Sequence, residues 1–231
     1  MDIRQLHPWQ VTLAEATAIQ QRLAAQVVRA DRLEGVRLVA GADVHFPVRR
    51  DLAYAVVLVL SYPDLEPVEV RAAEREMTFP YRPGFLSFRE VPPLLAAFEQ
   101  VRMVPDLLFV DGQGIAHPRR LGLASHLGLV LDLPTIGCAK SRLTGVHEEP
   151  GVQPGDWTPL RDQGSGEVIG AVLRTRVRAK PLYISIGHKI SLDEAVRWTL
   201  ASLRGHRLPE PSLRAHNLAS GHTPLPARDV P

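Results

Sequence analysis

One cysteine, Cys138, stands among 231 residues, so neither an intramolecular disulfide nor a cysteine-based zinc site can form within the chain. That fits a reducing compartment, and the thiol itself reads as packing material. Long apolar runs are missing as well. The N-terminus MDIRQLHPW is polar and the longest apolar stretches, such as AYAVVLVL, are far too short to span a bilayer. Neither a signal peptide nor a membrane anchor is expected, and a cytoplasmic location is the default. Charge of one sign is scarce: 27 Lys and Arg face 25 Asp and Glu, so a polyanion would have to meet a local patch rather than an overall basic surface. No internal repeat recurs at a useful period, which excludes solenoids and propellers. What is present is apolar bulk. With 45% hydrophobic and 23% charged residues, the chain can bury one large core. Residues 1–231 are therefore expected to form a single monomeric domain, with a disordered proline-rich tail after about residue 218.

Hydrophobic periodicity orders the elements. From Val11 to Arg32, the apolar positions Leu13, Ala16, Ile19, Leu23 and Val27 recur at helical spacing, and Thr12 with Glu15 forms a candidate capping box. Three β-branched runs follow, VRLVAGADVHF, AYAVVLVLSY and PVEVRAAEREMTF, which read as successive antiparallel strands. FLSFREVPPLLAAFEQV has helical spacing, but Pro92 and Pro93 fit only a first turn, so this helix is expected to begin near Val91. The apolar run DLLFV, then LGLASHLGLVLDL, then PTIGCAK, read as strand, helix, strand with a parallel pair. Leu143 to Glu167 is crowded with Gly, Pro and charge and reads as a long surface loop. EVIGAVLRTR and PLYISIG return as strands, and SLDEAVRWTLASLRG closes the body as a capped helix. Three antiparallel strands followed by parallel strands, flanked by helices, predict an α/β mixed sheet of the ribonuclease H-like arrangement.

Three acids occupy unusual places in this pattern. Asp43 interrupts a strand that otherwise reads as buried, where a lone carboxylate is costly. Asp111 ends the apolar strand LLFV at the carboxyl edge of a parallel sheet, where ligand crevices form. Glu90 stands just before the proline-marked helix start. Each acid alone is more simply a salt bridge or a helix cap, and the pair Asp111–Gly112 is also a plain turn signal. Together they offer the hard oxygen donors that Mg²⁺ requires.

The segment DGQGIAHPRRLG brings glycines to a strand end and then opens a helix with His117, Arg119 and Arg120, a place where positive charge and backbone N–H groups can meet a phosphate. A Gly-rich turn with basic decoration is the plainer alternative. Lys140 ends the next parallel strand on the same edge as Asp111 and can hold a phosphate or a departing oxyanion. In PYRPG, Pro80 and Pro83 stiffen a loop that presents Tyr81 and Arg82; such an aromatic can replace an extruded base in a stack or simply pack on its own domain. His188 and His216, each taken alone, read as structural histidines.

These segments resemble the endonuclease V family, the deoxyinosine 3′ endonucleases. VAGADVHF is similar to that family's first acidic strand, PYRPGFLSFRE to its wedge loop and glutamate, DGQGIAHPRRLGLASHLGL with PTIGCAKSRL to its central signature, and KPLYISIGHKIS with LPEPSLRAH to its closing segments, covering most of residues 38 to 216. The resemblance implies a DNA repair endonuclease that nicks the second phosphodiester bond 3′ to deoxyinosine, leaving a 3′-hydroxyl and a 5′-phosphate. It implies Mg²⁺, with Mn²⁺ as a substitute, held by Asp43, Asp111 and Glu90. It further implies Lys140 on the phosphate, His216 as a catalytic histidine and Tyr81 as the wedge, with Pro80, Arg82, Pro83, His117 and Arg119 toward DNA. The glycines Gly84, Gly112 and Gly114 are the candidates for lining a hypoxanthine pocket. Two departures stand out: Arg82 where the family commonly has an aliphatic residue, and Gln113 where it often has histidine. Inosine-containing RNA is the alternative substrate, and a non-catalytic binder of deaminated nucleic acid is the rival of another class.

Overall fold

Alternation along the strands decides which helix each side chain meets, and it is clearest in the centre of the sheet. The computed structural model describes residues 1–47 and 51–224. Strands β1 (Leu38–His45), β2 (Leu52–Ser61) and β3 (Pro67–Glu76) form an antiparallel set, as the three β-branched runs predict. β4 (Leu107–Val110) then pairs parallel to β1, and β5 (Thr135–Ala139) parallel to β4. β6 (Trp157–Arg161), β7 (Val168–Leu173) and β8 (Leu182–His188) complete the sheet as an antiparallel wing, in the order β3-β2-β1-β4-β5-β8-β7-β6. Leu107 and Phe109 point into one core, with Val39, Ile136 and Ile184, while Leu108 and Val110 point into the other, with Ala40, Ala42 and Val57. The mixed ribonuclease H-like sheet expected from the sequence is the observed architecture.

Helices cover both faces. α1 (Leu13–Ala24), α4 (Leu192–Ala201) and α5 (Glu210–Ala219) supply Leu23, Trp198 and Ala215 to the first core. α2 (Leu86–Phe98) and α3 (Leu123–Leu131) supply Leu94, Phe98, Leu123 and Leu127 to the second. Thr12 and Glu15 close the capping box of α1 reciprocally, and Ser191 caps α4. Among the described residues no helix is long and apolar enough to cross a membrane.

Three expectations need correction, and one element was not foreseen. α1 stops at Ala24 rather than running to Arg32, because the backbone at Val28 turns to pair with β8: its N–H donates to His188 Nδ1 at 3.2 Å and its carbonyl accepts from Lys189 N at 2.7 Å. α2 begins at Leu86, and Pro92 and Pro93 lie inside it. Two lost backbone hydrogen bonds are offset there by complete burial of Phe88, Val91, Leu94 and Phe98. The segment from Leu143 to Glu167 is not all loop, since it contains β6. After Leu208, where the sequence pattern indicated no element, α5 forms and packs directly on β1. Gly41 makes that approach possible: a Cβ there would lie 1.9 Å from the Pro211 carbonyl oxygen. The last part of the expected tail, residues 225–231, lies outside the described residues.

Candidate active site

Parallel pairing of β1 with β4 aligns Ala42 with Val110, so the next residues, Asp43 and Asp111, emerge side by side at the carboxyl edge. α5, seated on β1 over Gly41, brings His216 to the same place, where its Nδ1 lies 2.7 Å from Asp43 Oδ2. One ligand-type atom each from Asp43, Asp111 and His216 lies within 4.8 Å of the others. Lys140, at the end of β5, reaches Asp111 Oδ2 with its Nζ at 2.5 Å. Glu90, in the second turn of α2 rather than ahead of it, is buried and stands outside that close group.

The acids feel one another. Burial, then the charge of Asp111, raises the Asp43 carboxyl above its ordinary range, while the His216 hydrogen bond and a backbone N–H from Val44 at 2.9 Å oppose the rise. Burial, then the charges of Asp43 and Asp111, holds Glu90 well above the usual carboxylate range. Three carboxyl groups that repel one another in a half-buried pocket of oxygen donors suit a small divalent cation, which would relieve the repulsion. One imidazole in a set otherwise of oxygens is compatible with Mg²⁺ or Mn²⁺.

The loop Pro80–Gly84 presents Tyr81 at 67% exposure, with Pro80, Arg82 and Pro83 also exposed. Its base is pinned at one atom. The Gly84 carbonyl accepts from Gln20 Nε2 at 3.0 Å, His117 Nε2 at 2.9 Å and Arg119 Nη2 at 2.7 Å, and Gly84 itself has φ +78°, which a side chain would strain. His117 was expected to bring positive charge, and here the structure corrects the sequence. The ring is buried, donates from Nε2 to Gly84 and accepts the Arg119 N–H at Nδ1, so it is a satisfied neutral imidazole; burial pushes its pKa down to about 4. Arg119 keeps its charge but turns it inward, onto Gly84, Gln20 Oε1 and the face of Phe85.

A cavity of about 110 Å³ opens behind Tyr81, lined among others by Gln20, Gly84, Leu86, Ser87, Gln113 and Leu143. Phe85 gives α2 no side-chain cap, so the N–H groups of Leu86 and Ser87 in its first turn have no intrahelical partner, and both residues line this cavity. Of the three glycines expected to line a base pocket, Gly84 lies in the lining of this cavity. Gly114 does not: its N–H is taken by Ser185 Oγ at 2.8 Å and its Cα presses on the Ile186 carbonyl. Gly112 also stays out of the lining, packed against Leu123. Sequence reasoning missed Gln20, Ser87 and Leu143. Only Gln20 carried a signal, as the polar residue on the apolar face of α1 between Ala16 and Leu23.

The family model described as Endonuclease V matches residues 21–217. A protein of Trichormus variabilis called Endonuclease V is 52% identical over 95% of this chain and 99% of its own length. Among solved structures, Endonuclease V from Streptomyces avermitilis is 40% identical with a TM-score of 0.86, covering 93% of this chain and 94% of that one. Endonuclease V of Ciona intestinalis, solved with a 24mer DNA containing an inosine followed by a ribo-adenosine, is 28% identical with a TM-score of 0.80, covering 91% of this chain and 97% of that one.

Proposed function

The chain belongs to the endonuclease V family and is therefore a nuclease, a phosphodiester hydrolase, and from that premise we propose that it nicks DNA at the second phosphodiester bond 3′ to deoxyinosine, leaving a 3′-hydroxyl and a 5′-phosphate. The observation that carries this reading is the close group of Asp43, Asp111 and His216 at the sheet edge, with Glu90 sensing both aspartates. Asp43 and Asp111 would hold a divalent cation, Mg²⁺ in preference and Mn²⁺ as a substitute, with Glu90 completing the site directly or through water. When bound, that ion supplies Lewis-acid stabilisation of the phosphate and a more acidic attacking water. Lys140 is the residue placed to exchange its bond with Asp111 for a phosphate oxygen and to steady the departing 3′ oxygen. His216, oriented by Asp43, has a second ring nitrogen with which to take or give a proton.

Recognition lies next door. The cavity behind Tyr81 receives the extruded base, and Tyr81 fills the gap left in the stack, held stiff by Pro80 and Pro83 with Arg82 beside it for the backbone. The open N–H groups of Leu86 and Ser87 can donate to the 6-oxo oxygen of hypoxanthine, where adenine carries an amino group that would leave them unpaired. The Ciona relative's DNA supports deaminated DNA as the partner. That same strand carries a ribonucleotide after the inosine, which keeps inosine in RNA as the second reading. An end-labelled deoxyinosine duplex, incubated with and without Mg²⁺, tests the proposal. We expect a single Mg²⁺-dependent cut one nucleotide beyond the lesion; an uncut duplex, or a cut that survives EDTA, contradicts it. A matched inosine strand in RNA, cut faster, would transfer the activity to the second reading.

A further inference from the structure

A hydrogen-bonded chain runs from the N-terminal segment to the edge of the base cavity. His7 Nδ1 lies 2.8 Å from the Pro8 carbonyl oxygen, His7 Nε2 lies 2.7 Å from His126 Nε2, and His126 Nδ1 lies 3.0 Å from Ser87 Oγ. His7, His126 and Ser87 are all buried, and Trp9 and Phe88 pack their rings against the two imidazoles. Ser87 lines the cavity behind Tyr81. Nothing in the hydrolytic step uses these groups.

The direction of every bond in this chain follows from its first member. A carbonyl oxygen can only accept, so His7 Nδ1 carries a proton. A neutral His7 then has a bare Nε2, which must accept from an N–H at His126 Nε2. A neutral His126 in turn has a bare Nδ1, which must accept from the Ser87 hydroxyl. Burial lowers the pKa of both rings, His126 well below the ordinary histidine value, in keeping with two neutral imidazoles. The proton of Ser87 is thereby committed to His126, and its oxygen can meet anything else only as an acceptor.

We infer that His7 and His126 are positioning residues that hold Ser87 Oγ as a fixed acceptor for the N1–H of hypoxanthine, an assignment that rests on the base-recognition reading above. The cavity edge then offers a donor, the backbone N–H of Leu86 or Ser87, beside an acceptor, Ser87 Oγ. Hypoxanthine presents the complement, an acceptor at O6 and a donor at N1. Adenine presents the reverse at both positions, an amino donor and a bare N1, so both contacts fail together. Guanine shares the 6-oxo and N1–H edge, so its rejection has to come from elsewhere, in part from the stronger pairing that opposes its extrusion.

The test is equilibrium binding of fluorescent oligonucleotides in EDTA, which separates recognition from hydrolysis. Three strands differ only at one base: deoxyinosine, deoxyadenosine, and 2′-deoxynebularine, a purine with no 6-oxo group and a bare N1. Ser87→Ala should weaken the deoxyinosine strand about tenfold, the worth of one hydrogen bond, and leave the deoxynebularine strand within twofold. Equal losses on both strands, or none on deoxyinosine, would overturn the assignment. Nitrogen-15 NMR of the unaltered protein provides a check free of folding artefacts: the proton is expected on Nε2 of His126 and Nδ1 of His7, and a proton on His126 Nδ1 would overturn the polarity. An unaltered protein that neither prefers deoxyinosine nor nicks beside it would instead remove the functional reading itself.

Discussion

At the ends of β1 and β4, acids are gathered whose charges oppose one another, whereas along α3, in the loop before it and in the N-terminal segment, histidines are gathered that burial keeps neutral. Asp43 and Glu90 are raised above the carboxylate range, first by burial and then by their acidic neighbours. His7, His117 and His126 are all lowered, first by burial. The histidine region closes its hydrogen bonds internally, through Pro8, Ser87, Gly84 and the Arg119 N–H. The acidic edge does not close: His216 and Lys140 partly offset two of its acids, and burial and both aspartates hold Glu90 well above the usual carboxylate range. Unrelieved repulsion belongs where a ligand brings the missing charge, and internal closure belongs where the fold must hold a shape for a ligand.

Removing an acid should break the comparison most severely. Asp43→Ala or Asp111→Ala is expected to lower Mg²⁺-dependent nicking of a deoxyinosine duplex by at least about a thousandfold while the circular dichroism spectrum is unchanged. Turnover within tenfold of the unaltered protein would remove the aspartates from the cation site.

Acid titration sharpens the contrast, because the two regions carry opposite signs. The folded-state pKa of His117 is depressed to about 4, so the unfolded chain takes up the proton first and stability is lost as pH falls from about 6.5 toward that value. That single group is worth up to about 3 kcal/mol at the acid end of the window. Asp43 and Glu90 have raised pKa values, so the folded chain takes up their protons first and they add stability as pH falls toward the ordinary carboxylate range. Urea unfolding across this range should show a shallower acid loss in His117→Gln and a steeper one in Asp43→Asn. Parallel curves for the two variants would show that the regions do not differ in this way.

Much of this was legible in the residues, and what was missed has physical causes. The three antiparallel strands β1 to β3, the parallel pair of β4 with β5, and the capping box at Thr12 and Glu15 follow from periodicities and caps that act locally. The start of α2 was misplaced because proline propensity is local, while burial of Phe88, Val91, Leu94 and Phe98, which outweighs it, is tertiary. His117 was misjudged because a basic neighbourhood in sequence says nothing of which groups turn inward. The His7–His126 pair joins residues 119 positions apart, a contact no spacing rule reaches. α5 carries no such local signal, because its docking depends on the bare backbone of Gly41 on a distant strand.

Thermal unfolding near neutral pH, with EDTA or with Mg²⁺, most directly tests the claim that the acidic edge is built for a cation. The unaltered protein should melt roughly 5 to 10 °C higher with saturating Mg²⁺. Asp43→Asn in EDTA should melt at or above the unaltered protein in EDTA, having lost one repelling charge, and should gain nothing from Mg²⁺. An unaltered protein whose melting ignores Mg²⁺, or an Asn variant that responds equally, would contradict the account.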